Sequence, residues 1–352
     1  MKTAKGMDAT TSHNITYGEQ DQPKRIHYLA AGPREGPLIL FIHGRPAIAR
    51  TWQPQIDAFA AQGFRVLAPD MPGYGKSTAR KVATDYCMEE LVKGMLALLA
   101  DTGRPSGIWV GHDYGAGVTS SIAAHHPEAV AALVNICVPY RTVELGLSQL
   151  LALVNREVYP ETEFPYGQWD YQKHFEESFE KVVEWHNRNI PAACRALYQR
   201  GKPHSDQRSH WATVRKQPSS DLLESKPPTG EGRPLTTATT TVLEPEYGDV
   251  LDEVIGAMQE TGFWPSIAYY VNHDRNHGYN ARLDGKLDKP ALFIHATYDY
   301  TCDTMTSRLA EPMRQACTDL TEAVIEAGHW VQTEKPDETN EAIARFIRQK
   351  VA

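Results

Sequence analysis

Residues 111–115 read Gly-His-Asp-Tyr-Gly and place a carboxylate where a nucleophile could act. The β-prone run 108–110 precedes this pentapeptide, and a run of small residues with helical character follows at 116–124. A strand, a tight turn and a helix in this order form a nucleophile elbow, whose glycines let the chain pack closely around a strained central residue. Asp113 cannot form an acyl-enzyme, but it can attack an sp³ carbon and form an alkyl ester. The motif predicts covalent catalysis by Asp113; a chance turn is the alternative.

Strands and helices alternate around this motif between residues 25 and 137. The continuous apolar character of the strands indicates burial on both faces, and the alternation predicts a mostly parallel sheet flanked by helices. Ligand sites in such sheets lie at the carboxyl ends of the strands, which is where both the His43–Pro46 loop and Asp113 fall. The predicted strands are residues 25–31, 37–42, 64–68, 108–110 and 131–137, and the predicted helices centre on residues 52–60, 91–99 and 116–126.

The alternation stops after Pro139 and resumes near residue 287. We interpret residues 140–286 as an inserted helical cap between two parts of one core, residues 1–139 and 287–352. Within the cap, the polar segment 201–248 shows little periodicity, and we predict that it lines or gates the entrance to the site. The sheet pattern resumes with strands at 290–295 and 323–325, and an amphipathic helix around Ile343 and Phe346 closes the chain.

An acid and a histidine follow the last two predicted strands. Asp299 comes directly after the first of them, with Asp303 as an alternative, and His329 comes after the second. The order nucleophile, acid, histidine is that of the α/β-hydrolases, which the sequence resembles over nearly its whole length. Within that superfamily it is similar to soluble epoxide hydrolases. The shared motifs are the Gly-His-Asp-aromatic-Gly elbow, His-Gly-x-Pro at 43–46, Gly-His-Trp at 328–330, and tyrosines within 169–172 and 262–276.

The resemblance implies a role for each matching residue. Asp113 would attack an epoxide carbon while two cap tyrosines, Tyr171 and Tyr270 (rather than Tyr269), protonate the ring oxygen. His329, oriented by Asp299, would then activate the water that hydrolyses the ester to a vicinal diol. The backbone N–H groups of Arg45 and Tyr114 would form the oxyanion hole. The predicted substrate-binding residues are Trp169, Tyr269 and Trp330.

Two further functions remain as alternatives. Haloalkane and haloacid dehalogenases share the Asp elbow, but haloalkane dehalogenases typically place Trp, and fluoroacetate dehalogenases Arg, where this chain has Tyr114. A non-catalytic ligand-binding protein would not need to keep the nucleophile, acid and histidine together. One position departs from the epoxide hydrolase pattern: the variable residue of His-Gly-x-Pro, often aromatic there, is Arg45. We expect its charge to alter the rim of the pocket and thus the substrate preference.

Composition limits the other possibilities. A net charge of −8 spread over 352 residues argues against a nucleic-acid or anionic-membrane surface, and no run is long enough to span a membrane. Five cysteines without a CxxC pair indicate reduced thiols in a cytoplasmic protein, and we expect a monomer or homodimer that binds a small-molecule epoxide. We predict no cofactor. We also predict no metal, because His273 and His277, the pair with a spacing that could bind zinc, lack a nearby third ligand. Gly75-Lys76-Ser77 is not a P-loop, since position 70 is Asp70.

Overall fold

The computed structural model describes residues 9–203, 207–216 and 248–351, and it is built around one eight-stranded sheet. The strand order is β1-β2-β4-β3-β5-β6-β7-β8. The strands are β1 (Thr11–Tyr17), β2 (Lys24–Ala31), β3 (Leu38–Ile42), β4 (Arg65–Pro69), β5 (Gly107–His112), β6 (Val130–Ile136), β7 (Ala291–Ala296) and β8 (Leu320–Ile325).

The sheet is parallel from β4 to β8 and antiparallel at its amino-terminal edge, where β2 pairs with both β1 and β4. Every residue of β3, β5 and β7 is buried, as expected for strands covered by helices on both faces. Strand β1 was not predicted from the sequence. It is an edge strand in which Ile15 is the buried residue, so it lacks the alternation of apolar residues that identifies most strands.

Helices cover the sheet and, between β6 and β7, make up the regular elements of the described residues. The core helices are α1 (Gln53–Ala61), α2 (Met88–Asp101), α3 (Tyr114–His125), α11 (Glu311–Ala316), α12 (Val331–Glu334) and α13 (Pro336–Lys350). The cap helices are α4 (Leu147–Ala152), α5 (Asp170–Glu177), α6 (Phe179–Arg188), α7 (Ile190–Leu197), α8 (Gly248–Thr261), α9 (Trp264–Ala268) and α10 (His273–Asn280). The predicted fold class, a mostly parallel sheet with an inserted helical cap, is confirmed.

The apolar stripes of the cap helices explain how the cap packs. On α8, Leu251, Val254, Ile255 and Met258 recur at helical spacing and are buried. Phe175, Val182 and Val183 are buried as well, but they lie on two helices, because α5 ends and α6 begins around Ser178. Short 3₁₀ helices connect several of these elements; they are Ala49–Trp52, Ala83–Tyr86, Pro127–Ala129, Val143–Leu145, Gly167–Trp169, His210–Lys216 and Tyr269–Val271.

Of the predicted entrance segment, residues 201–203 and 207–216 are described, and several of them line the cavity beneath the cap. Residues 204–206 and 217–247 lie outside the described residues. No helix in the described parts of the chain combines the length and apolar character needed to cross a membrane.

Candidate active site

Four loops at one edge of the sheet bring the candidate catalytic residues together. Arg45 follows β3, Asp113 follows β5, Asp299 follows β7 and His329 follows β8. Because these strands are parallel, their carboxyl ends meet at the same edge, and residues far apart in sequence become neighbours there.

Asp113 lies at the turn between β5 and α3 in a strained conformation, with φ 54° and ψ −126°. The glycines around it are required by close packing. A Cβ on Gly115 would lie 2.2 Å from the Ile42 carbonyl oxygen, and a Cβ on Gly44 would lie 2.2 Å from Asp113 Oδ1. That oxygen accepts a hydrogen bond from the Arg45 backbone N–H at 2.7 Å. The strained turn thus exposes the carboxylate beside a backbone donor, as an oxyanion hole requires.

His329 lies between two carboxylates. Its Nδ1 is 2.7 Å from Asp299 Oδ2, and its Nε2 is 3.3 Å from Asp113 Oδ2. Burial alone would lower the pKa of His329, but the charge of Asp299 and the hydrogen bonds that the ring donates to both carboxylates raise it well above its usual value. For Asp113, burial alone would raise the pKa. The hydrogen bond and charge of His329, with the backbone amide of Tyr114, instead lower it to about 2. Asp113 is therefore ionised at neutral pH without the help of a base.

Asp299 is held in place by its other oxygen. Asp299 Oδ1 accepts hydrogen bonds from the backbone N–H groups of Thr301 (3.1 Å) and Cys302 (2.9 Å). Burial opposes its ionisation, but the charge and hydrogen bond of His329 lower its pKa. Asp303, the alternative acid, instead accepts bonds from backbone N–H groups in its own exposed loop. The structure therefore places Asp299, and not Asp303, against the histidine.

The cap closes over a cavity of about 420 Å³ whose lining includes Asp113, His329, Tyr171 and Tyr270. The rings of the two tyrosines lie 5.7 Å apart in an edge-to-face arrangement. Burial raises the pKa of both hydroxyls, so both are protonated at neutral pH. Two phenol donors thus share a cavity with the carboxylate of Asp113.

The three predicted substrate-binding residues occupy different places. Trp330 lines the cavity and donates its indole N–H to the Leu197 carbonyl at 2.8 Å. Trp169 lines a small recess that also contacts Asp113, Tyr171 and Tyr270. Tyr269 is not among the described residues that line either space, because its hydroxyl donates to the Pro72 carbonyl at 2.6 Å. The structure thus brings Trp330 and Trp169 to the site but not the side chain of Tyr269.

The side chain of Arg45 differs from expectation. It is buried, with 7% of the residue exposed, and extends into the cap, where Nε donates to Ser266 Oγ at 3.0 Å. Arg45 still lines the cavity. Its backbone N–H donates to Asp113 Oδ1, so Arg45 connects the catalytic edge of the core with the cap.

Most of the histidines that could bind a metal have other partners. His277 Nδ1 is hydrogen-bonded to the Leu145 carbonyl oxygen. His273, four residues earlier on α10, is buried. In the described residues, His329 approaches two sets of possible ligands, one with Asp299 and Cys302 and one with His112 and Cys137. Both sets share the histidine whose ring nitrogens already face Asp299 and Asp113, so they belong to the catalytic arrangement.

Glu334 is a site residue that sequence reasoning missed. Its carboxylate accepts from the backbone N–H of Gly328, next to His329, at 3.1 Å and from that of Gly201, in the cap, at 3.1 Å. These bonds connect the histidine loop to the cap. The available signal was a glutamate five residues after the histidine, in a short helix that is buried throughout.

Comparison with known proteins agrees with this geometry. Residues 37–336 match the model of the alpha/beta hydrolase fold family. The chain belongs to the α/β-hydrolase fold family. Within it, the chain is 30% identical over 338 residues to epoxide hydrolase A of Mycobacterium tuberculosis, which covers 92% of this chain and 94% of that protein. It is 27% identical to bifunctional epoxide hydrolase 2 of Mus musculus over 93% of this chain and 54% of the mouse protein.

A solved structure shows the same relationship. The crystal structure of epoxide hydrolase A from Mycobacterium thermoresistibile aligns with a TM-score of 0.74 and 26% identity, over 97% of this chain and 99% of that chain. The predicted resemblance to epoxide hydrolases of the α/β-hydrolase fold is therefore confirmed.

Proposed function

We propose that this protein is an epoxide hydrolase that converts an epoxide into a vicinal diol through an ester on Asp113. The observation that carries this proposal is the shared cavity, in which Tyr171 and Tyr270 of the cap face the nucleophile and its histidine. The names of the relatives support the same substrate class.

In the first step, a carboxylate oxygen of Asp113 attacks an epoxide carbon, and the C–O bond of the ring breaks. The electron pair of that bond moves to the ring oxygen, which takes a proton from a cap tyrosine. A phenol suits this role because it is protonated at rest but can give up its proton to an alkoxide. Asp113 needs no activation because it is already ionised.

In the second step, water attacks the ester carbonyl carbon while His329 accepts a proton, and the Arg45 and Tyr114 backbone N–H groups stabilise the oxyanion. Ester formation removes the negative charge of Asp113 from one side of His329. The pKa of His329 therefore falls in the intermediate, and the histidine becomes a base when a base is needed. The proton that His329 loses after ester formation restores the phenol of the tyrosine. As the tetrahedral intermediate breaks down, the expelled alkoxide takes the second proton of the attacking water and leaves as the diol, Asp113 regains its carboxylate, and His329 keeps the first water proton.

The position of Trp169 favours a second candidate, a dehalogenase with the same nucleophile. Its indole N–H is buried and has no hydrogen-bond partner among the described residues, and halide ions are held by N–H donors of this kind. A halide leaves without a proton, however, so the two phenol donors of the cap would then have no chemical role. We therefore favour the epoxide as substrate and propose that Trp169 and Trp330 contact its carbon skeleton.

The test is to trap the ester with the His329→Gln variant. This variant should be alkylated but not hydrolysed, so styrene oxide should add its whole mass to Asp113, as read by intact mass and peptide mapping. The Asp113→Asn variant, treated in the same way, should gain no mass. An adduct of the alkyl group alone, formed from 1-bromobutane but not from epoxides, would instead establish the dehalogenase. No adduct from either compound would contradict the covalent mechanism.

A further inference from the structure

The guanidinium of Arg45 is buried in the cap. It bonds to Ser266 Oγ (3.0 Å) and lies 3.4 Å from His186 Nε2, and no ion pair joins it to an acid among the residues that the structure describes. Burial, with the charge of Arg45, lowers the pKa of His186 to about 3, so His186 is neutral. A buried cation surrounded by neutral groups is costly unless another group offsets its charge.

Aromatic rings surround this cation, and one of them belongs to the catalytic site. The guanidinium carbon lies 4.9 Å from the ring centre of Phe175, 5.8 Å from that of Phe263 and 5.6 Å from that of Tyr270. A cation over an aromatic face is attracted to its π electrons. When a tyrosine loses its proton, part of the negative charge spreads into the ring, and this attraction increases.

The two cap tyrosines therefore have different surroundings. Tyr270 has the cation over its ring, and its hydroxyl makes no hydrogen bond with the described residues. Tyr171 has no cation over its ring among the described residues, although the charge of Arg45 acts on the hydroxyls of both tyrosines. The Tyr171 hydroxyl oxygen accepts a hydrogen bond from the neutral Gln172 Nε2 at 3.0 Å. That bond directs the Tyr171 proton away from the amide, toward other acceptors.

We propose that the Arg45 side chain makes Tyr270 the tyrosine that donates its proton to the epoxide oxygen, while Tyr171 holds that oxygen by a hydrogen bond. This inference rests on the proposed function. As Asp113 forms its ester bond and the ring C–O bond breaks, the ring oxygen takes the Tyr270 proton, and the negative charge moves from Asp113 to the phenolate beneath Arg45. The Arg45 side chain has a positioning role: its guanidinium contacts Tyr270, whereas the contact of this residue with Asp113 is made by its backbone N–H.

The experiment is a double-mutant cycle on the alkylation step with styrene oxide, a neutral epoxide. Stopped-flow tryptophan fluorescence and rapid-quench mass spectrometry give the alkylation rate and the dissociation constant of the epoxide. The Arg45→Met variant should lower the alkylation rate about 10- to 100-fold with little change in the dissociation constant. The loss should persist in the Tyr171→Phe background but shrink below about 3-fold in the Tyr270→Phe background. The Arg45→Lys variant, which keeps the charge, should recover part of the rate.

Each outcome decides the proposal. If Arg45→Met does not fold, Arg45→Gln gives the same comparison, because it keeps N–H donors for Ser266 and His186 without the charge. Equal losses in both tyrosine backgrounds would mean a structural role and overturn the inference. So would a variant that changes only the binding of carboxylate-bearing epoxides, which would make Arg45 a substrate anchor. In both cases the ester still forms on Asp113, so the proposed function would stand; its failure would be recognised by the absence of any ester.

Discussion

The Asp299→Asn variant tests how the histidine is oriented. In the native site, Asp299 Oδ1 accepts from two backbone N–H groups, and Oδ2 faces His329 Nδ1 at 2.7 Å. Backbone N–H groups can only donate, so the amide oxygen of the variant must take the Oδ1 position and its NH₂ group must face Nδ1. The amide then donates to Nδ1, and the imidazole proton is forced onto Nε2. In that tautomer His329 cannot accept a proton from water.

The size of the effect follows from which step needs the base. Ester hydrolysis requires a free Nε2 lone pair, and a wrong tautomer at an Asp–His pair costs about 10³- to 10⁴-fold in rate. This corresponds to about 4–5.5 kcal/mol of activation free energy. Alkylation needs no base, because Asp113 is ionised already, and we expect it to fall by less than about 10-fold. The ester should therefore accumulate.

The assay is rapid quench with styrene oxide, followed by intact mass at each time point. The Asp303→Asn variant is the matched control, because the same change is made four residues later in an exposed loop. It should turn over like the wild type and show no accumulated ester. Hydrolysis at the wild-type rate in Asp299→Asn, or accumulation of ester in Asp303→Asn, would refute the assignment of the acid.

Two further predictions concern pH and the junction of cap and core. The alkylation rate should stay constant from pH 5 to 8, because the pKa of Asp113 is about 2 and burial raises the pKa of both cap tyrosines. Ester hydrolysis should instead slow as the pH falls, because His329 becomes protonated. Single-turnover rates across this range measure both steps, and an alkylation rate that falls at low pH would contradict the first expectation. Gly201→Ala should cost about 1–3 kcal/mol in thermal unfolding and lower turnover, because its Cβ would lie 2.1 Å from the Gly328 backbone nitrogen. Gly256→Ala, on an open face of α8, should instead leave turnover unchanged and stabilise by about 0.5–1 kcal/mol. Equal effects of the two substitutions would contradict the close approach.

The core was predictable from the sequence because its signals are local. Apolar runs at β3, β5 and β7 are long enough to identify buried strands, and each ends at a loop that carries a chemically active residue. Parallel strands then place these loops at one edge without further information. Strand β1 was not predicted because it lies at the edge of the sheet and pairs with β2 while burying one side chain, Ile15.

The cap was less predictable because its contacts join distant parts of the chain. The Arg45 side chain bonds to Ser266, 221 residues later, and nothing near position 45 indicates whether a long side chain turns toward solvent or into the cap. Tyr269 and Tyr270 are adjacent, and their side chains reach different surroundings from the short 3₁₀ helix that contains both. The resemblance to epoxide hydrolases favoured Tyr270 over Tyr269 as the proton donor. The hydrogen bond from Tyr269 to Pro72, which explains why Tyr269 does not reach the cavity, could be seen only in the structure.

On the proposed mechanism, the distribution of charge in the cavity explains how a buried site could carry out a reaction that moves a negative charge. At rest, His329 and Arg45 provide two positive charges against the negative charges of Asp113 and Asp299. Ester formation neutralises Asp113 and, on the proposed mechanism, creates a phenolate at Tyr270, so the total charge stays the same while its position shifts toward the cap. Moving charge within a low-dielectric site costs least when a fixed cation already lies at its destination. In the core, His329 stabilises the charge before attack; in the cap, Arg45 is placed to stabilise it afterwards.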